Sequence, residues 1–275
     1  MKAEGSDHPE LGTRNEKRGT RMLREWQARE LICEIGRRMY ARELICANEG
    51  NLSIRLGERL LATPTGLCKG DMEPDDLVVT NLEGDRLEGM REVSSEIKMH
   101  VVVYRQRADV GAVCHGHPIY GTAHAVAGIP LREALMPEVV LTLGCVPIAP
   151  YGTPSTDELA NSLNDLVPQH DAILLANHGA ITLGADLQKA FFRMEILEHF
   201  AKISLLTRIL GRQSLLTQES VDKLFDVSGK HGIIPPVSRQ SDCPVTANGE
   251  RPLTLSPREI EEIVERVMLE MNRDR

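Results

Sequence analysis

No apolar run in this 275-residue chain is long enough to cross a bilayer, and its opening stretch, MKAEGSDHPELGTRNEKRGTR, has no apolar core of the kind a secretion signal needs. A membrane-spanning helix is excluded, no membrane partner is expected, and a cytoplasmic location is expected. The six cysteines form no CxxC pair and no dense framework, so reduced and mostly buried thiols are expected rather than disulfides. In that compartment the sequon at Asn51 carries no glycan. Basic residues are not in excess: the formal net charge is -8, which argues against a nucleic-acid partner, because that binding needs a basic face to displace counterions. A small anionic substrate stays open, since it depends on local charge. Internal repeats are also absent, so the length points to one large domain with appendages.

Residues 1–19 are polar and broken by Gly and Pro, and read as a loose arm. From Leu23, the spacing of Trp26, Leu31, Ile32, Ile35 and Met39 predicts one apolar face of a helix. The segments NLSIRL, RLLATP, DLVVTNLEG and DRLEG read as strands with Gly and Pro at the turns. A Ser-capped helix over SSEIKMHVVVYRQR follows, then a buried strand, DVGAVCHGH, and a short helix, PIYGTAHAVAG. EVVLTLGCVPIAPYG reads as a further strand region, and Ser155 with Glu158 has the spacing of a capping box. DAILLANHG reads as a buried strand ending at His178, before a long helix over ADLQKAFFRMEILEHFAKISLLTRIL. Strands that dominate early and then alternate with helices predict a mixed sheet covered by helices on both faces, over residues 20–230.

Three histidines stand out. His115 and His117 are two apart at a strand end, where both imidazoles can face one side, and His178 ends another apolar strand just before a glycine. Three neutral imidazoles can hold a tetrahedral zinc ion with one open position. Spacing alone does not separate that reading from histidines that satisfy buried hydrogen bonds. Glu96 is a potential base at a helix start, where a carboxylate is also simply favourable. Ser94 and Ser95 lie at the same start, beside unpaired backbone N–H groups suited to phosphate. Asn51, Thr65 and Gly66 add small polar positions beside glycines, each equally at home in an ordinary turn.

In chain order, GNLS, TPTG, SSE, HGHP with YGTA, APYGT and NHG resemble the class II aldolase/adducin family over roughly residues 22–230. The resemblance implies a three-layer α/β/α fold with a mixed, largely antiparallel sheet, assembled as a homotetramer with active sites at subunit interfaces. It implies one Zn2+ per subunit, held by His115, His117, His178 and Glu96, with Glu96 as the catalytic proton carrier. Asn51, Thr65, Gly66, Ser94 and Ser95 become the phosphate site. The implied reaction is aldol cleavage of a ketose 1-phosphate to dihydroxyacetone phosphate and lactaldehyde, with L-fuculose 1-phosphate or L-rhamnulose 1-phosphate as substrate. One position departs from the pattern. Fuculose phosphate aldolases carry a proton-donating tyrosine that aligns at or near Met136, and methionine donates no proton. Glu138, Tyr120 and Tyr151 are the available substitutes. Other family members act as a pentulose phosphate 4-epimerase, a methylthioribulose phosphate dehydratase or sugar-acid phosphate decarboxylases, and adducin-like members are non-catalytic scaffolds.

Beyond the core, residues 231–254 are rich in Pro and Gly and read as a linker. Residues 255–275 predict an amphipathic helix: Ser256 as N-cap, Pro257 at the first position, Glu259 completing a capping box, and Ile260, Ile263, Val264, Val267, Met268 and Met271 on one face. This tethered helix resembles the encapsulation peptides that bind bacterial microcompartment shell proteins; the alternative is a helix folded back on its own core.

Overall fold

The computed structural model describes residues 24–230. The terminal arm, the linker and the amphipathic helix read from the sequence lie outside the described residues.

Asn51–Leu56 (β1), Arg59–Ala62 (β2), Val78–Asn81 (β3) and Arg86–Glu88 (β4) form an antiparallel meander. Ala112–Gly116 (β5) pairs antiparallel with β1 and with Gly179–Gly184 (β8). Ala172–Leu175 (β7) runs antiparallel to β8, and the two-residue Ile148–Ala149 (β6) is parallel to β7. The sheet order is β4-β3-β2-β1-β5-β8-β7-β6, mixed and mostly antiparallel as expected.

Alternation along these strands divides the core into two layers. Ala112, Cys114, Ala172 and Leu174 pack in one cluster with Glu25–Ala41 (α1) and Leu187–Ile209 (α6). Val113, Ile173, Leu175 and Ile181 pack in the other, beneath Ile97–Gln106 (α2) and Asp157–Asn161 (α5). His115 follows Val113 by two, so it faces the α2 side. Ile119–Ala127 (α3) leaves the end of β5 and lies on α6.

Several local expectations are corrected. The segment read as a strand region from Glu138 begins as a helix, Pro137–Thr142 (α4), started by Pro137 at its first turn, and is strand only at β6. The paired valines suggested a strand, but Val140 is buried in a satellite cluster with Val221 and Phe225 of Gln218–Lys230 (α7), and that packing decides the conformation. Thr156, not Ser155, caps α5, accepting from the Glu158 amide at 3.2 Å. Glu96 occupies the N-cap position of α2, and neither serine caps that helix; Ser94 Oγ instead accepts from the Glu96 amide at 3.3 Å. Cys33, Cys46, Cys68 and Cys114 are free thiols, whereas Cys145 is disulfide-bonded, against the expectation of reduced cysteines throughout.

Candidate metal centre

The strand ladder brings the histidines together. His115 lies on β5 and is fully buried, His117 follows one residue beyond that strand, and His178 sits in the turn joining β7 to β8. The turn closes by a bond from the His178 amide to the Leu175 carbonyl at 3.0 Å, with Asn177 at φ 56, a left-handed conformation asparagine tolerates. Because β5 and β8 are hydrogen-bonded neighbours, a turn residue from one meets a strand-end residue from the other. One ring nitrogen from each histidine lies within 4.8 Å of the other two.

Glu96 reaches this point from the start of α2. Its two carboxylate oxygens lie 3.2 Å from His115 Nε2 and 3.2 Å from His178 Nε2. His115 and His117 approach through their Nε2 atoms at 3.3 Å. The far nitrogens have separate partners: His115 Nδ1 meets the Ala180 carbonyl at 2.9 Å, and His117 Nδ1 meets Glu49 at 3.1 Å. An Nδ1–H held by an oxygen leaves Nε2 with its lone pair toward the centre, the tautomer a metal ligand needs. Burial, and then the neighbouring His115 and His178, hold the His117 pKa down to about 3, so its ring is neutral at pH 7. Burial works against ionisation of Glu96, yet the His115 and His178 rings against it outweigh burial and keep the carboxyl well below the usual carboxylate range. Imidazoles with converging nitrogens and an anionic carboxylate suit a divalent metal ion.

A buried polar chain lies behind Glu96. Asn51 Nδ2 donates to Glu96 Oε2 at 2.9 Å, and Asn51 Oδ1 meets His100 Nε2 at 2.5 Å. His100 Nδ1 meets Ser53 Oγ at 2.6 Å, and Ser53 Oγ meets the Tyr104 hydroxyl at 2.7 Å. The donor and acceptor roles follow in sequence. Since the Asn51 amide donates to Glu96, its carbonyl oxygen accepts from His100 Nε2–H, which leaves Nδ1 to accept from Ser53. Burial holds the His100 pKa down to about 3, consistent with that single-proton state.

Asn51, Thr65, Gly66, Ser94, Ser95 and Glu96 all line one cavity of about 340 Å³ with His117 and His178. His115 is buried behind its surface. The proposed proton donors are not brought there. Glu138 is exposed on α4, Tyr120 lines a different cavity beside Glu198 and Lys202, and Tyr151 is exposed in the loop after β6. Met136 packs against the apolar core. Sequence reading missed Glu49, Lys69 and His100. Glu49 and Lys69 sit in turn-rich segments with nothing in their spacing to mark them, while His100, four residues after Glu96 on a predicted helix, was open to notice as lying on the same face.

Residues 30–205 match the family described as Class II Aldolase and Adducin N-terminal domain. A 3-oxo-tetronate 4-phosphate decarboxylase of Pectobacterium atrosepticum is 34% identical over 207 residues, 73% of this chain and 93% of that protein. A 5-deoxy-D-ribulose 1-phosphate aldolase of Bacillus thuringiensis is 34% identical over 200 residues, 71% of this chain and 92% of that protein. Among solved structures, an L-fuculose 1-phosphate aldolase superposes with a TM-score of 0.70 at 30% identity, covering 77% of this chain and all of the other.

Proposed function

The chain belongs to the class II aldolase/adducin family, and from that premise we propose that it is a zinc-dependent carbon–carbon lyase cleaving a ketose 1-phosphate to dihydroxyacetone phosphate and an aldehyde. The observation that carries this reading is the meeting of three histidine nitrogens and Glu96 at a cavity whose other wall is Thr65, Gly66, Ser94 and Ser95. His115, His117, His178 and Glu96 would hold the ion, which supplies a Lewis acid for the substrate's carbonyl and adjacent hydroxyl oxygens. Glu96 is the proton carrier. In cleavage the hydroxyl on the carbon that becomes the aldehyde gives up its proton as the bond breaks, and Glu96 returns one to the carbon left as an enediolate; in the reverse direction Glu96 takes one from the hydroxymethyl carbon of dihydroxyacetone phosphate. The small polar wall receives the phosphate and orients the bond to be broken. L-fuculose 1-phosphate is the proposed substrate, with L-rhamnulose 1-phosphate as a second, in a homotetramer with interface sites.

Met136 favours a second reading, decarboxylation of a sugar-acid phosphate. Loss of carbon dioxide from a 3-oxo acid leaves the same enediolate of dihydroxyacetone phosphate, but the departing carboxylate has no hydroxyl proton to exchange, so the step needs no group in the tyrosine's place. Incubating the metal-loaded protein with each ketose 1-phosphate and with 3-oxo-tetronate 4-phosphate, while assaying dihydroxyacetone phosphate, aldehyde and carbon dioxide, separates the two. Aldehyde in step with dihydroxyacetone phosphate supports the aldolase; carbon dioxide in step with dihydroxyacetone phosphate, without aldehyde, supports the decarboxylase. Turnover of none of them overturns both. Glu96→Gln is expected to keep the fold and lose turnover.

We further propose that residues 250–275 direct the enzyme into a bacterial microcompartment, where a shell would contain a reactive aldehyde. Fused to a fluorescent protein in cells making the shell, this segment should give discrete foci; diffuse fluorescence would count against targeting.

A further inference from the structure

Lys69 is a buried cation held by neutral groups. It is 2% exposed, and among the described residues its ammonium forms no ion pair; Nζ donates to the carbonyl of Asn48 at 2.6 Å and to that of Leu67 at 2.8 Å. Glu96, which lines the same cavity, acts on the charge only through space, and a buried charge without an ion pair in contact is costly unless something answers it. The side chain lines the same cavity as Thr65, Gly66, Ser94 and Ser95. Burial pushes its pKa down to about 8, so most of it still carries a charge at pH 7.

Its position is also enforced. A Cβ on Gly36 of α1 would lie 2.4 Å from the Lys69 carbonyl oxygen, and one on Gly70 would lie 3.0 Å from the Tyr40 ring. The helix therefore presses against the backbone at Lys69 and Gly70, and the two carbonyl acceptors hold the ammonium. A rigidly placed cation beside small hydroxyls and open backbone is the chemistry of an oxyanion receptor.

We propose that Lys69 is a binding and specificity residue of this site, supplying the positive charge that receives the substrate's phosphate. The inference rests on the sugar-phosphate reading above, but its test does not require turnover. Inorganic phosphate is titrated calorimetrically into the full chain, chelator-stripped and metal-loaded, for the wild type, Lys69→Met and Lys69→Arg. Loss of a charge-assisted bond should weaken phosphate binding about ten- to hundredfold in Lys69→Met, in both metal states, with metal content unchanged. Lys69→Arg should recover part of the loss. In the enzyme assay, KM for a phosphorylated ketose should rise by more than kcat falls. Phosphate binding within twofold of the wild type in Lys69→Met overturns the inference and leaves the reaction class standing. Lysine-dependent phosphate binding in a protein that cleaves no sugar phosphate has the opposite meaning. Should Lys69→Met fail to fold, the wild type decides: its Nζ resonance, identified by its loss in Lys69→Arg, must shift with added phosphate, and an unmoved resonance under saturating phosphate refutes the role.

Discussion

His178 differs from its companions in what stands behind it. His115 and His117 are braced through Nδ1, whereas the buried His178 Nδ1 has no hydrogen-bond partner among the described residues, where its turn and Glu96 orient the ring. Replacing it by alanine should remove the metal and the activity together, as measured by bound metal after dialysis, because two imidazoles and one carboxylate bind far more weakly. His100 gives a prediction in pH. Its pKa falls from an ordinary 6.5 to about 3 on folding, so between those values the unfolded chain binds more protons than the folded one. Stability contributed by the neutral ring is therefore intact above about pH 6.5 and declines as the pH falls toward 3. His100→Leu should lower stability by about 1–3 kcal/mol at pH 7, because Asn51 and Ser53 lose buried partners. It should also flatten the decline between pH 6.5 and 4, read by denaturant unfolding of chelator-stripped protein. The residue types of the site were legible in the sequence. The polar chain behind Glu96 was not, since Asn51 and His100 meet only across the strand and helix that carry them.

At the scale of elements, the site depends on how closely β5 and β8 approach. A Cβ on Gly179 would lie 2.5 Å from the Gly116 carbonyl oxygen and 2.6 Å from His117 Cδ2. Gly179→Ala must therefore part the strands or turn the His117 ring. Metal affinity is expected to fall about 10–100-fold, the scale found when support of a ligand is lost, and competition with a chelator would measure it. The glycine after His178 was visible in the sequence as a place where a backbone turns; its contact with His117 was not. Strands β1 to β3 and β5 follow from alternation that any local reading finds. α4 does not, because its two valines favour a strand locally and only tertiary packing, Val139 in the main core and Val140 against α7, makes the helix the better arrangement.

For the whole molecule, Asp171 joins layers that lie on opposite faces of the sheet. It is 4% exposed in its side chain and pairs with Arg107, beyond the end of α2, at 3.0 Å and with Arg193 of α6 at 2.8 Å. Removing it strips Arg193 of its carboxylate partner beside a buried gap, while Arg107 keeps Asp109 at 2.7 Å. Asp171→Ala should cost roughly 3–5 kcal/mol in denaturant unfolding while metal affinity in the surviving folded protein stays unchanged. The same division between near and far in the chain separates what each level of description determined. The sequence by itself settled the alternation that makes a two-faced sheet, the helical periods of α1 and α6, and the presence of three histidines and a carboxylate in the order of a known family. These depend on neighbours within a few residues, where backbone geometry dictates which side chains share a face. Only the tertiary structure decided that Glu96 bridges His115 and His178, that Asn51 is held between Glu96 and His100, and that the Lys69 ammonium lies between the Asn48 and Leu67 carbonyls. Several of those contacts join residues dozens of positions apart, and a hydrogen bond across such a distance leaves no periodic trace in the chain.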